Sequence, residues 1–556
     1  VEPSKRLDSG QADVRGANDS GDIARAAGLL GGLTLVSRVA GLARDVVIGS
    51  LFGASPAADA FFVAFRIPNL FRRIVGEGAA STAFVPVFTS RLVEGGRGAA
   101  LRAALAVGVA AAIILALIVS AGMLFADPIV SLFAPGFVTD PEKRALTVSL
   151  TAATFPYLAL VGMAAWAMGT LHTFRRFTAP ALGPILLNVA IIVSALLLHG
   201  RLNTPVFALV VGVLLGGALQ FLVQVPALRA EGLASSTSWR LRDPAVARVG
   251  ALLAPTILGA GVYQINILVA TILASLLPGS SVSYLWYAGR IFEFPLGIVA
   301  VAIGTAALPV LSAQASAGRL DDMANNVSYA LRSVWVLCIP AAVGLWMLAP
   351  EIVSLLFERG AFRAEDVVMT AWALRAYVFG LLGVAAVRVL SAVFYAFEQP
   401  RVPVVAACVA LAVNAFCDLA LMGPTDAGAR WWAASAVASM SEALRVADLR
   451  HAGLAWAASI AATVNALLLL VAARRRLPSL AISAMARSVG LHCVAAGAMA
   501  AVLWGWQQAA SSIAVWLHVA GGIALAAVVY VACAKLLGSQ EIDSAISALG
   551  VGRNRR

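Results

Sequence analysis

Charge is scarce in this 556-residue chain: Asp, Glu, Lys and Arg make up 12% of it, whereas 61% is hydrophobic. Soluble domains carry ~25% charged and ~45–50% apolar residues, so a water-soluble fold is excluded. Cysteine and histidine are equally sparse, five of each. Cys338, Cys408, Cys417, Cys493 and Cys533 all lie in apolar stretches, without a CxxC pair or a histidine at ligand spacing. They read as buried free thiols, not as disulfides or metal ligands. His172, His199, His451, His492 and His518 are scattered at the ends of apolar runs and offer no ligand set. Acids are outnumbered by bases, 28 to 40, for a net charge of +12. Such an excess can mark a nucleic-acid binder, but a basic stripe needs a polar face and this chain is nearly all apolar. Nucleic acid is therefore excluded as a partner. The opening stretch, 1–26, is polar and lacks a small-residue cleavage site, so it reads as a disordered cytoplasmic tail, not as a signal peptide.

Long hydrophobic runs, in contrast, are abundant, and the mean hydropathy is +0.89. A bilayer core of ~30 Å needs about 20 apolar residues per helix. On that ruler fourteen spans are expected, at 27–51, 58–90, 100–125, 144–171, 179–199, 205–228, 247–276, 282–313, 324–349, 366–396, 402–422, 452–473, 484–506 and 513–537. Pro68, Pro86, Pro156, Pro255 and Pro295 fall inside them and should bend or break helices. With the N-terminus inside, the cytoplasmic loops hold about 15 Lys/Arg and the tails about 8, against about 8 outside, which places both termini in the cytoplasm.

An internal repeat runs at one constant offset: IVSL at 129–132 recurs at 352–355, and in the same register Pro86 maps onto Pro309, Phe174 onto Phe397 and Pro180 onto Pro403. Each copy holds six spans, so both share one orientation, as in transporters that place substrate between their halves. The expected fold is an all-α polytopic membrane protein of 14 transmembrane helices, two six-helix repeats plus two C-terminal helices. Its expected parts are a tail (1–26), an N-terminal lobe (27–228), a cytoplasmic linker (229–246), a C-terminal lobe (247–474), two extra helices (482–537) and a second cytoplasmic tail (538–556).

Nine arginines fall within the spans, where one charge at a helix centre costs about 2.5–3.5 kcal/mol and marks a functional site by default. Span 1 carries Arg38, Arg44 and Asp45; span 2 carries Asp59, Arg66, Arg72, Arg73 and Glu77; span 8 carries Arg290 and Glu293; Arg332, Arg375 and Arg388 complete the set. Only five acids lie at comparable depth, the last being Asp418 in span 11. The remaining positive excess suits an anion, and guanidinium forks match phosphate oxygens in parallel pairs. Arg332 and Arg375 read better as side chains that snorkel to an interface. Asn414 and Asp418 stand four apart on one helix face. They read as oxygen ligands for Na⁺, or as a protonated carboxylate, or as a carboxylate paired with Arg388.

The run SRVAGLARDVVIGSLFGASPAADAFFVAFRIPNLFRRIVGEGAASTAFVPVF closely resembles the opening of the MurJ (MviN) lipid II flippase family, in the MOP exporter superfamily that also holds the MATE transporters. YAGRIFEFPLGIVAVAIGTAALPVLS and HAGLAWAASIAATVNALLL extend the similarity, which covers roughly 27–537. The resemblance implies a flippase, not an enzyme, without cofactor. It would move undecaprenyl-diphosphate-linked peptidoglycan precursor from the inner to the outer leaflet of the bacterial cytoplasmic membrane, with membrane lipids and cell-wall or division proteins around it.

By motif, the substrate-binding residues would be Arg38, Arg44, Arg72, Arg73 and Arg290, with Asp45, Asp59 and Glu77 orienting them and Glu293 and Arg388 in support. Spans 13 and 14 would form a lipid-tail groove with span 1. Three departures stand out: Gly289 replaces the Asp that often precedes the span 8 arginine, span 7 offers Asn266 and no acid, and about 425–450 is an insertion. The missing acid puts Na⁺ at Asn414 and Asp418 in question and leaves another monovalent ion or the membrane potential as driver. In the insertion, Ala433, Val437, Met440, Leu444 and Ala447 follow helical spacing, predicting an interfacial helix on the outer face. The alternatives are a related MOP-type exporter of another polyprenyl-linked glycan or of drugs, and a membrane transferase, for which the only adjacent acids are Asp321 and Asp322.

Overall fold

The computed structural model describes the backbone of residues 9–71, 83–233, 242–425, 432–510 and 513–548, with side chains except at 9–30, 71, 254–263, 298–306, 432–434 and 545–548. The first helices are α1 (Ser9–Phe52), α2 (Pro56–Phe71), α3 (Val85–Leu124), α4 (Ala126–Phe133), α5 (Pro141–Thr154), α6 (Pro156–Thr173) and α7 (Thr178–Leu198). Next come α8 (Phe207–Leu222), α9 (Val225–Ala230), α10 (Pro244–Ser275), α11 (Ser281–Ser316), α12 (Leu320–Met347), α13 (Ala349–Phe357) and α14 (Ala364–Val378). The last are α15 (Leu381–Ala396), α16 (Arg401–Leu421), α17 (Trp432–Leu444), α18 (Arg450–Arg476), α19 (Ile482–Ala509), α20 (Val515–Leu536) and α21 (Gln540–Ala548). The described residues contain no strand, only one isolated bridge between Met422 and Asp448.

Among the described residues nine helices are long and apolar enough to cross a membrane, and α14 with α15, bent by 42°, makes a tenth. Of the other four expected spans, 58–90 includes residues outside the described set, and 27–51, 247–276 and 282–313 each include residues whose side chains are not described. Prolines mark the joints. Pro156 opens α6 one residue after α5 ends, and Pro86 sits in the first turn of α3, where its missing N–H costs nothing. Pro68, Pro255, Pro295 and Pro309 instead lie inside helices. α3 is interrupted at Gly96, whose φ of 69° only glycine adopts at little cost, so the ends of expected spans 2 and 3 are separate helices.

The repeat is visible in the backbone. α4, α5 and α7 begin at Ala126, Pro141 and Thr178, and α13, α14 and α16 begin at Ala349, Ala364 and Arg401, each at the offset that relates the two IVSL runs. The ends of α7 and α16, Leu198 and Leu421, keep it as well. Arg175 (φ 59°) and Glu398 (φ 56°), separated by the same offset, are two of only three non-glycine residues with positive φ among those described.

The chain divides into two compact units. The first comprises Val1–Val47, Phe65–Phe125 and Leu150–Ala260; the second comprises Ile48–Ala64, Ala126–Ser149 and Gly261–Arg556. In the first unit small residues allow the close backbone approach that drives helix association in lipid. A Cβ on Gly212 or Gly216 of α8 would meet backbone atoms of α7 at 2.6 and 2.8 Å. Trp166 of α6 lies over Gly108 of α3 and donates to the carbonyl of Ala104 at 2.8 Å.

In the second unit α18 packs in the same way, Gly453 against the Leu421 carbonyl and Gly380 and Gly383 of the α14–α15 joint against Ser459 and Ala462. Arg332 does not snorkel as expected. It bonds Glu541 of α21 at 2.9 Å, because α21 folds back to offer a carboxylate that Ser488 and Ser539 also bond. The cysteines are free, but only Cys338 is buried; Cys408 and Cys493 are exposed on the outer surfaces of their helices, where lipid would solvate them. The insertion does form a helix, α17, tied down by Ser441, which donates to the carbonyls of Leu419 and Gly423. It ends at Leu444, before Ala447, and Met440 is half exposed.

Candidate functional site

Arg44 is the most firmly held of the expected arginines. It is 8% exposed in the first unit, and its Nε and Nη2 both donate to Oδ1 of Asp45, at 3.0 and 2.8 Å. Nη1 donates to Oδ1 of Asn188 on α7 at 3.0 Å, and Asn188 in turn donates to the Ser37 carbonyl at 3.2 Å. One guanidinium is thus held by three bonds, its plane fixed by a carboxylate on its own helix and an amide from a second. Arg38, half-buried, lies six positions earlier on α1. The sequence reading does not single out Asn188, although an asparagine in the middle of a 21-residue apolar helix is itself a signal of buried hydrogen bonding. Arg72, Arg73 and Glu77 lie outside the described residues.

Arg290 is in the second unit, a quarter exposed, with Nη1 donating to Glu293 at 3.1 Å. Its guanidinium stands 4.6 Å over the ring of Trp286, which stacks on Phe62 at 4.5 Å. The face of an indole and a carboxylate one turn on therefore orient Arg290 where Gly289 supplies no acid. A Cβ at Gly289 would meet nothing within 4 Å, so the site has room for the side chain it lacks.

Asp59 is 1% exposed and serves elsewhere in the second unit. Its Oδ1 accepts from the backbone N–H and the hydroxyl of Ser283, at 2.8 and 2.6 Å, and its Oδ2 from Nζ of Lys143 at 2.8 Å. The carboxylate caps the first turn of α11, where N–H groups lack intrahelical partners and the helix dipole favours negative charge. Lys143, also 4.0 Å from the Phe137 ring centre, is missed by the sequence reading. Its signal is rarity, since Lys5, Lys143 and Lys535 are the only lysines in a chain that otherwise uses arginine.

Asn414 and Asp418 do share a buried face of α16, and Asn414 donates to Oδ2 of Asp418. Oδ1 of each is buried with no hydrogen-bond partner among the described residues. Arg388 is exposed, and no ion pair joins it to Asp418 among the described residues. Two orphaned oxygens fit a hard monovalent cation in kind, though two ligands are too few to enclose one. The described residues contain no group of three or more His, Cys, Asp or Glu able to hold a metal. Arg375, half-buried, donates to the Trp346 carbonyl at 3.1 Å and lies over that ring.

The family described as lipid II flippase MurJ matches residues 48–521. A probable lipid II flippase MurJ of Haemophilus influenzae is 34% identical over 534 residues, covering 91% of this chain and 98% of the relative. The lipid II flippase MurJ of Burkholderia cenocepacia is 35% identical over 449 residues, covering 80% and 82%. The solved structure of lipid II flippase MurJ in an inward closed conformation superposes with a TM-score of 0.73 at 24% identity, over 91% of this chain and 98% of that one. An inward-facing MATE-family multidrug transporter of the MOP superfamily gives 0.64 at 15% identity, over 80% and 95%, a likeness of fold alone. By its match to the family over most of its length, and by relatives that share about a third of its residues from end to end, this protein belongs to the MurJ family of lipid II flippases.

Proposed function

We propose that this multi-pass membrane protein carries lipid II, the undecaprenyl-diphosphate-linked peptidoglycan precursor, from the inner to the outer leaflet by alternating access. The family match over residues 48–521 carries this reading, and with it the chain is a transporter, not an enzyme. Arg38, Arg44, Arg72, Arg73 and Arg290 hold the diphosphate. Asp45 and Asn188 support the assignment of Arg44, because a guanidinium fixed in one orientation needs no further ordering to receive a phosphate oxygen. Glu293 and the Trp286 face do the same for Arg290. The excess of Lys and Arg in alternate loops supports cytoplasmic termini, and the internal repeat supports two lobes that rock.

Binding of the head group has to differ between the inward and outward states, since only differential affinity shifts such an equilibrium. Asn414 and Asp418 would supply two oxygens for a coupling monovalent cation; the membrane potential acting on the moving charge is the other driver. Translocation of labelled lipid II in vesicles, wild type against Arg44→Ala, tests the reading. Transport by the wild type and its loss in the variant are expected, and equal transport by both would remove Arg44 from the mechanism.

A further inference from the structure

Two residues on the same helix, Glu293 and Trp286, meet Arg290, and they differ in grip. The Glu293 side chain is 47% exposed, so solvent screens the ion pair and the pair fixes little. Trp286 is 7% exposed, and the guanidinium 4.6 Å over its ring is attracted to an indole face that bulk water does not cover. An arginine side chain without such a hold is ordered only when its ligand arrives, at a cost in affinity.

The indole is itself held from another helix. Phe62 of α2, fully buried, stacks on it with ring centres 4.5 Å apart and planes 16° from parallel. Phe62 also meets Tyr287 at 5.5 Å and 85°, edge to face. Tyr287, fully buried as well, donates its hydroxyl to the Gly53 carbonyl at 3.0 Å and packs against Phe357 and Phe362 at 4.9 and 5.3 Å. Stacked and edge-to-face contacts are the two arrangements that aromatic pairs prefer, so each ring fixes the plane of the next. The order of support runs from Tyr287 to Phe62, from Phe62 to Trp286, and from Trp286 to the guanidinium.

We propose that Phe62 and Trp286 are positioning residues for diphosphate binding, acting through Arg290; the inference rests on the reading that Arg290 holds the diphosphate. Trp286 sets the plane of the guanidinium and Phe62 sets the indole, so the affinity of an arginine on α11 depends on where α2 stands. The sequence of α2 continues into Arg72 and Arg73. A transport cycle needs a head-group affinity that differs between its states, and withdrawal of Phe62 from the indole supplies such a difference at Arg290.

The test measures the affinity of the full-length protein in detergent for lipid II. Arg290→Gln comes first: unchanged affinity there would end the reading of Arg290 and this inference with it. With that loss in hand, Trp286→Leu should weaken binding about fivefold and Phe62→Leu about threefold, and Trp286→Phe, which keeps an aromatic face, should recover most of the loss. In the Arg290→Gln background each leucine substitution should change affinity by less than about twofold, whereas a merely structural role would persist there. Tryptophans with successive ring fluorines, placed at position 286 by nonsense suppression, drain the π face while nearly keeping its shape, and each step should weaken binding. This series stands even if the leucine variants misfold. Affinity that ignores fluorination, or leucine losses of equal size with and without the Arg290 charge, would overturn the inference and leave the reading of Arg290 intact.

Discussion

Neutralising Asp59 should destabilise the second unit through Lys143, and neutralising both together should restore much of the loss. Asp59 and Lys143 side chains are 1% and 11% exposed, so solvent screens their 2.8 Å contact little. Removing one partner of a buried pair costs about 3–5 kcal/mol, because the survivor stays charged and buried. Asp59→Asn keeps an oxygen for the Ser283 N–H and hydroxyl, so its loss of about 3 kcal/mol measures the stranded ammonium. Lys143→Met strands the carboxylate, but the two Ser283 donors still serve it, and the loss should sit near the lower end of the range. In the double variant an amide caps α11 and a thioether lies against Phe137, with no charge left over. A coupling energy of about 2 kcal/mol is expected from denaturant midpoints of the four proteins in detergent, since directly paired residues couple by roughly 0.5–3 kcal/mol. Losses that add to within about 0.5 kcal/mol would show that the two side chains do not depend on each other and would refute the assignment.

Asn188→Ala should lower lipid II transport about tenfold with α7 still folded, by releasing Nη1 of Arg44, a bond to a charged group worth about 1.5–3 kcal/mol; vesicle translocation alongside helical content by circular dichroism checks it. Gly216→Leu should cost about 1–3 kcal/mol or block assembly by pushing α8 off α7, read as a lowered unfolding midpoint. Burial alone would push the Glu541 carboxyl up, but bonds from its own backbone, Ser488 and Ser539 and the charge of Arg332 hold it below the ordinary value of 4.5. Its contribution to stability is therefore complete above pH about 4.5 and lost as pH falls through the lower folded value. Amide protection in α21, taken relative to the intrinsic exchange rate at each pH, should fall over that acid window in the wild type, whereas in Glu541→Gln it should already be low and independent of pH.

The repeat is legible because it is written in local chemistry. Prolines, glycines and the small polar residues around them fix where α4 and α13, or α7 and α16, begin, and those choices survive in both copies. The gap that the sequence leaves between spans 2 and 3 is real, since α3 breaks at Gly96 within it, although the residues on both sides of that glycine are helical. The arginines announce themselves by their cost in lipid, and Arg44 with Asp45 can be paired by adjacency. What stays hidden is each partner brought from far along the chain. Asn188 lies 144 residues from Arg44, Lys143 84 residues from Asp59, and Glu541 209 residues from Arg332. Helical periodicity says which face a residue occupies but not which other helix meets that face, so the sequence alone sends Arg332 to an interface and Asp59 to the arginines. Ser283, 224 residues from Asp59, is another such partner, brought in where a carboxylate near the start of α2 caps the start of α11.

Affinity of the purified chain for lipid II, measured for wild type, Arg44→Lys and Arg290→Lys, addresses most directly the claim that guanidinium forks hold the diphosphate. Lysine keeps the charge and loses the parallel pair of N–H donors. Each variant should bind about tenfold more weakly than wild type. Undiminished affinity in both would contradict the account.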